Sequence, residues 1–168
     1  MIGTPEFQAA FESAQRTIFR LETLQYYDAD PGFDRFLAGE AWEATDSKQH
    51  WVDRVRRIVD RGVPMQRVHV VTEPWTDYIR FELTQSYPPN VEAGEDIRII
   101  TAPEPWPGPD FWMFDDECVW LMHYDEAGVL VGVEDVSAST ATVRACVARK
   151  DEALAKSTPL RQVVDMTG

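Results

Sequence analysis

The residues best suited to chemistry lie where one predicted strand ends and the next helix begins. Glu73 follows a strand predicted over residues 67–71, and Tyr78 and Arg80 lie on the helix after it. Arg98 lies on the strand predicted to follow that helix. In sheets with parallel strands, ligand crevices form at such strand ends, and an arginine there binds anionic groups bidentately. These four residues are therefore candidates for binding a small anionic ligand.

Carboxylates form a second set of candidates. Residues 91–135 include twelve acidic residues and one basic residue, Arg98, so they carry almost the whole net charge of −13. A negative field disfavours direct binding to nucleic acid and favours a partner with a basic surface. The alternative is that these acids are solvated turn residues that maintain solubility. The candidates for binding a partner lie in two predicted hairpin turns and are Asp115, Asp116, Glu117, Asp125 and Glu126.

Few other residues are spaced for catalysis. The sequence has no phosphate-binding glycine loop, nucleophile elbow or zinc-ligand pattern, and its three histidines are far apart. His69 lies within an apolar run, which favours a buried, hydrogen-bonded histidine over a catalytic one. Cys118 and Cys146 lack metal-ligand spacing and are interpreted as small buried side chains in a reducing compartment. The sequence therefore predicts neither a metal nor a cofactor.

The one concentrated basic surface is predicted on a helix that begins at Ser47. Arg54, Arg57 and Arg61 share a face of this helix because they are spaced i, i+3 and i+7. This face is an ordinary solvated surface, an anion-binding surface, or a surface docked on the acidic hairpin. Whether it is free or docked stays open at this point.

Periodicity predicts an α/β fold, with α+β as the alternative. A strand over 67–71, a helix over 76–85 and a strand over 96–101 form a unit that makes a parallel pair. Residues 111–133 predict a three-stranded antiparallel meander. We expect one mixed sheet with helices on both faces.

Two further segments carry structural expectations. Residues 17–23 alternate in polarity as in a strand with one wet face, so Arg20 and Glu22 are expected to be exposed. Tyr87-Pro-Pro-Asn90 is expected to end the helix before it.

The whole chain, residues 1–168, is expected to form one domain with its core at about 6–156 and a tail at 157–168 that is loose apart from Leu160, Val163 and Val164. No stretch approaches the about 20 apolar residues of a membrane helix, and the first residues do not resemble a secretion signal. We therefore expect a cytoplasmic protein that does not bind membranes.

A series of short motifs runs in a fixed order to about residue 160. The motifs are Phe19-Arg-Leu-Glu22, Phe36-Leu-Ala-Gly-Glu40, Arg67-Val-His-Val-Val71-Thr-Glu-Pro74, Asp77-Tyr78 with Arg80-Phe81, Asn90 with Ala93-Gly-Glu-Asp-Ile-Arg98, Asp110-Phe-Trp-Met-Phe-Asp115, and Met122-His-Tyr-Asp125 with Gly128. This series resembles a family of small actinobacterial proteins classed as a domain of unknown function. Members are often encoded beside helix-turn-helix regulators, so the resemblance implies a regulatory partner role.

The order of strand, helix, Gly94-Glu-Asp-Ile-Arg98 strand and Phe-Asp-Asp hairpin is also similar to the half-domain of phospholipase D-like proteins. Several of these are sensor domains of bacterial transcription regulators. Their reaction needs a His-x-Lys pair, but Val71 stands at the lysine position after His69, and Asp125 stands there after His123. This resemblance implies the fold without the phosphodiester chemistry.

Two functions follow from the sequence. The favoured one is a non-catalytic regulatory partner whose acidic face binds a helix-turn-helix DNA-binding regulator. The alternative is a sensor or enzyme that binds a small anionic ligand at the strand ends. The oligomeric state stays open.

Overall fold

The structure, a computed structural model, describes residues 3–28 and 30–167, with side chains described up to Asp165. Seven strands form a single sheet. They are β1 Ile18–Glu22, β2 Met65–Thr72, β3 Asp96–Ala102, β4 Asp110–Phe114, β5 Cys118–Tyr124, β6 Leu130–Asp135 and β7 Thr158–Pro159, in the order β6-β5-β4-β1-β2-β3-β7.

The sheet is mixed, as predicted. β2 pairs in parallel with both β1 and β3, while β1 pairs antiparallel with β4. β4, β5 and β6 form the predicted antiparallel meander. The α/β prediction is therefore confirmed.

Helices cover both faces of this sheet. They are α1 Pro5–Ser13, α2 Gly32–Leu37, α3 Asp46–Asp60, α4 Asp77–Phe81, α5 Tyr87–Glu92, α6 Thr140–Lys156 and α7 Leu160–Thr167, with a π-helical segment at Glu82–Ser86 between α4 and α5. Phe11 of α1 and Val55 of α3 pack in one cluster with Trp112 of β4. Ala153 of α6 packs in another cluster with Phe111, the neighbour of Trp112. Successive residues of β4 thus fill the two opposite cores.

The helical part of the crossover between β2 and β3 is longer than predicted. The expectation that Tyr87-Pro-Pro-Asn90 ends the helix is wrong, because α5 begins at Tyr87 and continues to Glu92. The prolines stand in the first turn of α5, where an amide hydrogen is dispensable and the fixed proline φ suits a helix.

The prediction of a loose tail after Ser157 is also wrong. β7 pairs with β3, and α7 follows at once. Leu160 is 4% exposed and packs in one cluster with Ile97 and Ile99. The segment is ordered because it covers apolar residues of β3 that would otherwise face water.

The prediction of a wet face on β1 is wrong as well. Arg20 and Glu22 are 3% and 5% exposed. β1 lies in the centre of the sheet, between β2 and β4, and helices cover both of its faces. Its charged side chains are therefore forced into the interior.

Among the described residues, no helix has the length and apolar character that crossing a membrane requires.

Candidate functional site

The sheet buries a group of charged side chains on the face that α3 covers. Alternate residues of β1 and β2 project to this face, together with residues at the starts of β3 and β4 and in the π-helical segment. None of these side chains belongs to a residue more than 8% exposed. We refer to this group as the ion network, and its members are Arg20, Glu22, Arg67, His69, Glu82, Glu95 and Asp110.

Arg67 joins two carboxylates of the ion network. Its Nη1 donates to Glu22 Oε1 at 2.7 Å, and its Nε donates to Glu95 Oε1 at 2.8 Å. The guanidinium lies 5.4 Å from the ring centroid of Tyr87 and 5.6 Å from that of Trp112. Burial disfavours the charge, but the carboxylates outweigh burial and hold the pKa of Arg67 well above its ordinary value. Arg67 is a fixed cation.

Arg20 and Asp110 form the other end of the network. Arg20 Nη2 lies 3.5 Å from Asp110 Oδ2 and donates to Tyr124 Oη at 2.9 Å. Asp110 Oδ1 accepts hydrogen bonds from the amide and hydroxyl of Thr23, at 2.9 and 2.7 Å, and Oδ2 accepts one from the Tyr27 hydroxyl. Asp110 therefore fastens the start of β4 to the chain that leaves β1. Arg20 Nη1 is buried and has no hydrogen-bond partner among the described residues.

His69 is fully buried, and both of its ring nitrogens have partners. Nε2 lies 2.6 Å from the Leu24 carbonyl oxygen, which is an acceptor, so Nε2 donates. Nδ1 lies 2.8 Å from Tyr87 Oη, whose own proton is donated to Glu22 Oε2 at 2.5 Å. Nδ1 must then donate too, which makes His69 an imidazolium. Burial lowers the pKa of His69, but Glu82 beside it outweighs burial and raises the pKa to about 9.

Glu82 supplies the carboxylate nearest to this imidazolium. Its Oε2 lies 3.0 Å from His69 Nδ1, while its Oε1 accepts a hydrogen bond from Tyr78 Oη at 3.0 Å. Oε2 makes no well-aligned hydrogen bond with the described residues, so charge holds the pair. Glu82 is the first residue of the π-helical segment, and Tyr87, five residues later, directly follows that segment. The wider i to i+5 turn brings both side chains toward His69, which a regular α-helix would not do.

Three possible metal ligands lie close together in the network. The ligand atoms of Glu22, His69 and Glu82 lie within 4.8 Å of one another. These residues do not fit a divalent cation, because Nδ1, the nitrogen that faces the carboxylates, carries a proton. Glu22 is also paired with Arg67 at 2.7 Å and Arg20 at 3.4 Å. Burial would raise the pKa of Glu22, but the two guanidinium groups outweigh burial and lower it to about 2.

The four residues predicted to bind a ligand do not form one site. Glu73 and Arg80 line the same open cleft, of about 750 Å³. Tyr78 is buried, and its hydroxyl is used within the ion network. Arg98 lies on β3, and its Nε donates to Ser157 Oγ at 2.8 Å.

The cleft offers groups of mixed chemistry at the end of β2. Its lining residues are Phe36, Glu73, Pro74, Trp75, Arg80 and Thr84. Nε1 of Trp75 is buried and has no hydrogen-bond partner in the described part of the chain. Arg80 lies 2.9 Å from Asp77, and both side chains are more than half exposed, at 53% and 62%. The cleft thus combines an indole, a carboxylate and an accessible guanidinium.

Asp115, predicted to bind a partner, accepts hydrogen bonds from backbone amides of its own chain. Its Oδ1 accepts the backbone amides of Arg16 and Thr17 at 2.6 and 3.0 Å, and its Oδ2 accepts that of Gln15 at 3.0 Å. Burial would raise the pKa of Asp115, but these amides outweigh burial and lower it. Asp115 and Asp116 both have positive φ, at 56° and 59°, so they form the tight turn without the glycine that such a turn prefers.

The other two acids of the first hairpin turn have basic neighbours. Asp116 Oδ1 lies 2.5 Å from Lys150 Nζ on α6, and Glu117 Oε1 lies 3.1 Å from Arg16 Nη2. The first pair includes a lysine side chain that is 11% exposed, whereas both members of the second are largely exposed, at 60% and 76%. The first turn is therefore partly neutralised from within.

The second hairpin turn keeps more of its charge. Asp125 Oδ1 accepts the amides of Ala127 and Val129, each at 2.9 Å, and so shapes its own turn. Glu126 is exposed and makes no ion pair with the described residues. Among the five predicted partner residues, Glu126 is thus the most available to another molecule.

The basic face of α3 docks on α1. Arg54 Nη1 donates to Gln8 Oε1 at 2.7 Å, and its guanidinium lies 4.9 Å from the ring centroid of Phe11. Arg61 Nη2 donates to the Phe11 carbonyl oxygen at 2.6 Å. Arg57 is exposed. Two of the three arginines therefore dock on α1, which is none of the three alternatives left open by the sequence, while Arg57 lies at the surface.

The ion network was missed by the sequence analysis, apart from the buried histidine. Glu95 and Asp110 were counted with the acidic surface, although they are 2% and 3% exposed. The available signal was the spacing of charges, because Arg67 and His69 stand two residues apart in an apolar strand. Residues two apart share one face of a strand, so both had to enter the same core.

The fold and the buried site define an α/β protein in which the buried charged side chains pair with one another. The polar side chains that can contact another molecule lie at the surface. The chain belongs to the family described as Domain of unknown function (DUF6879), which matches residues 5–165. No curated protein matches the sequence.

Two solved structures are similar to this chain at low sequence identity. Nuc, a phospholipase D family member from Salmonella typhimurium, is 12% identical with a TM-score of 0.52, over 90% of this chain and 86% of that chain. This likeness supports the predicted phospholipase D-like fold. TrmBL2, an archaeal chromatin protein whose structure shows a novel mode of DNA binding, is 15% identical with a TM-score of 0.49, over 91% of this chain. The match covers 49% of TrmBL2, so this chain spans about half the length of that protein.

Proposed function

We propose that the protein is a non-catalytic regulatory partner of the cytoplasm that binds a helix-turn-helix transcription regulator through an acidic surface. The observation that carries this proposal is the placement of charge on β6 and the turn before it. We refer to this surface as the acidic edge, defined by Asp125, Glu126, Glu134 and Asp135, all of which are exposed.

The ion network supports a non-catalytic role. His69 is 0% exposed, and both of its nitrogens donate to groups of the chain, so it has no lone pair to offer a substrate. Val71, at the position of the lysine in the phospholipase D motif, is also 0% exposed. Phosphoryl transfer needs a cation at that position to stabilise the phosphate, and valine supplies none.

The sign of the charge supports the kind of partner. DNA-binding regulators carry basic surfaces, and an acidic edge complements them while repelling nucleic acid itself. The resemblance to an actinobacterial family encoded beside helix-turn-helix regulators implies a partner of that type. The complex is expected to weaken with salt because exposed charges are screened.

The proposal is tested by recovering the tagged protein from its host lysate at low and physiological salt. A helix-turn-helix protein should be retained by wild type, and lost by Glu126→Lys combined with Glu134→Lys. Asp151→Lys, a single charge reversal at an exposed position of α6, is the control and should retain it. Equal recovery with the double variant and wild type, or no such regulator at low salt, would overturn the proposal.

A second candidate function is a sensor or enzyme that binds a small anionic ligand, now confined to the cleft. The accessible guanidinium of Arg80 favours it, because this side chain lines the cleft and an arginine binds anionic groups bidentately. Nucleotides, phosphorylated metabolites and divalent metals would be screened by thermal shift against wild type and Arg80→Ala. A ligand that raises the melting temperature of wild type but not of the variant supports this function, and no shift with any ligand counts against it.

A further inference from the structure

We propose that β6 is a docking strand, to which a basic extended segment of the partner adds as a further strand of the sheet. This inference rests on the function proposed above and names the binding mode of the acidic edge. In such a mode, backbone hydrogen bonds supply affinity, and side chains on the two faces of the added strand supply specificity.

The first observation is that β6 is an open edge. It is the terminal strand of the sheet and pairs with β5 on one side. On its other side, its backbone forms no hydrogen bond with any element of the described chain. The opposite edge differs, because β7 has two residues and passes directly into α7. An unpaired row of amides and carbonyls is a template for another strand.

The second observation is the exposed apolar surface beside this edge. Five large apolar side chains are exposed in the described residues, and two of them, Val129 at 36% and Val131 at 64%, lie at β6. A third, Tyr26 at 39%, lies against Gly128, where a Cβ atom would come within 2.8 Å of the Tyr26 carbonyl oxygen. Val131 lies on this edge, Val129 directly precedes β6, and Tyr26 lies against the residue before Val129, so apolar surface is available to an added strand at this end of the acidic edge.

The third observation is an irregularity in the pairing of β6. Gly132 is opposite His123 and Leu130 is opposite Tyr124, which leaves Val131 without a partner on β5. Val131 is the most exposed large apolar side chain of the described chain. A bulge of this kind re-aims a side chain at a sheet edge. Val131 is therefore presented as an apolar anchor for whatever pairs with β6.

Charge selects the occupant of the edge. Glu134 lies 2.8 Å from His123, and Asp135 accepts the Ser137 amide at 2.9 Å, but Glu126 makes no ion pair with the described residues. A second copy of the chain would bring the same carboxylates against these, and like charges on adjacent strands are destabilising. Acidic side chains guard an edge against self-pairing, whereas lysine or arginine on the incoming strand would be attracted.

The test uses an acetylated, fluorescently labelled peptide of alternating lysine and valine, about eight residues long, which is a typical strand length. Its matched control is the same sequence with every backbone nitrogen methylated, which keeps the charge and removes the hydrogen-bond donors. The unmethylated peptide should bind wild type, and methylation should weaken binding by about tenfold or more, since backbone pairing supplies the affinity. On binding, the β6 amides that point away from β5 should become protected from hydrogen exchange.

Protein variants assign the binding to this edge. Val131→Lys should weaken the unmethylated peptide because it replaces the apolar anchor with a like charge, while Asp151→Lys should leave binding unchanged. Equal binding of both peptides would overturn strand addition and leave an acidic surface that attracts by charge alone. Absence of binding to either peptide would also overturn it. The function proposed above fails on a different result, namely equal recovery of the regulator by the charge-reversed double variant.

Discussion

At the scale of residues, the interior of this protein depends on the protonated state of His69. Because Tyr87 donates to Glu22, His69 must donate to Tyr87, and because Leu24 offers a carbonyl oxygen, the second ring nitrogen must donate as well. The imidazolium balances the Glu82 carboxylate, which forms no other ion pair with the described residues and would otherwise lie unpaired in a medium of low dielectric constant. His69 is thus a structural cation.

This cation makes stability depend on pH. The pKa of His69 is raised from 6.5 to about 9, so its stabilisation is complete below pH 6.5, declines between these values and is lost above about 9. His69→Gln should lower the free energy of unfolding by about 3 kcal/mol at pH 6, because it leaves the buried Glu82 carboxylate without its cation. The difference from wild type should shrink as pH rises to 9.

Denaturant unfolding from pH 6 to 9.5 checks this prediction. Lys48 also titrates in this range, because burial and the nearby Arg67 lower its pKa to about 8. The difference in the free energy of unfolding between wild type and His69→Gln separates the effect of His69 from that of Lys48. His123→Gln is the control, since His123 is exposed and its partner Glu134 is too. A difference between wild type and His69→Gln that is the same at every pH would contradict a charged His69.

Asp115 is the second residue with a structural task. Asp115→Ala should lower the free energy of unfolding by about 2 kcal/mol, because three backbone amides lose a charged acceptor. The control is Glu117→Ala, two residues after Asp115 in the same turn. It removes an exposed ion pair and should lower the free energy of unfolding by at most about 0.5 kcal/mol. Similar losses for both variants in thermal or denaturant unfolding would be inconsistent with this assignment.

Single residues were predictable where their neighbours in sequence decide their environment. The burial of His69 follows from the apolar run around it. The burial of Arg20 and Glu22 does not, because their strand alternates like a half-exposed one and nothing local shows that it lies between β2 and β4. Asp115 reads as a solvated turn acid, since its amide partners lie about 100 residues away in the sequence.

At the scale of elements, the crossover from β2 to β3 explains how the ion network is closed. Periodicity indicated a helix there but not its π-helical segment, because an i to i+5 turn has no sequence signature comparable to a cap. The consequence is local, since Glu82 and Tyr87 reach His69 together.

The C-terminal helix is an element whose contribution can be measured. Leu160 is 4% exposed, so Leu160→Ala should lower the free energy of unfolding by about 3 kcal/mol, as for other buried leucines. Gln162→Ala, at an exposed position of the same helix, is the matched control and should be neutral. If both substitutions were neutral, the tail would be loose, as the sequence analysis expected.

At the scale of the whole molecule, charge is separated between interior and surface. Of the acids in residues 91–135, Glu95 and Asp110 belong to the ion network and Asp115 binds amides, while the acidic edge stays exposed. Composition showed the sign and size of the excess, but only the fold distinguishes structural acids from available ones. Asp125 and Glu126 could be located on their hairpin turn from sequence, whereas the openness of β6 depends on the order of the strands.

The surface excess should make stability sensitive to salt. A net charge of −13 repels itself, so raising sodium chloride from about 20 to about 300 mM should raise the melting temperature, because exposed charges are screened over these concentrations. The ion network is buried and is screened much less. The melting temperature is measured by calorimetry. A melting temperature that falls over this range of salt would mean that the attraction within exposed ion pairs outweighs the repulsion.

Whether the interior is a closed structural site is tested most directly by nitrogen NMR of the His69 ring in uniformly labelled protein. Both ring nitrogens should be protonated at pH 7, with a midpoint near 9 and no change on adding zinc. That result would mean that the ion network is structural and that any binding site lies at the surface. A neutral ring at pH 7 with an unprotonated Nδ1, or a shift of Nδ1 with zinc, would contradict it and make Glu22, His69 and Glu82 a metal site.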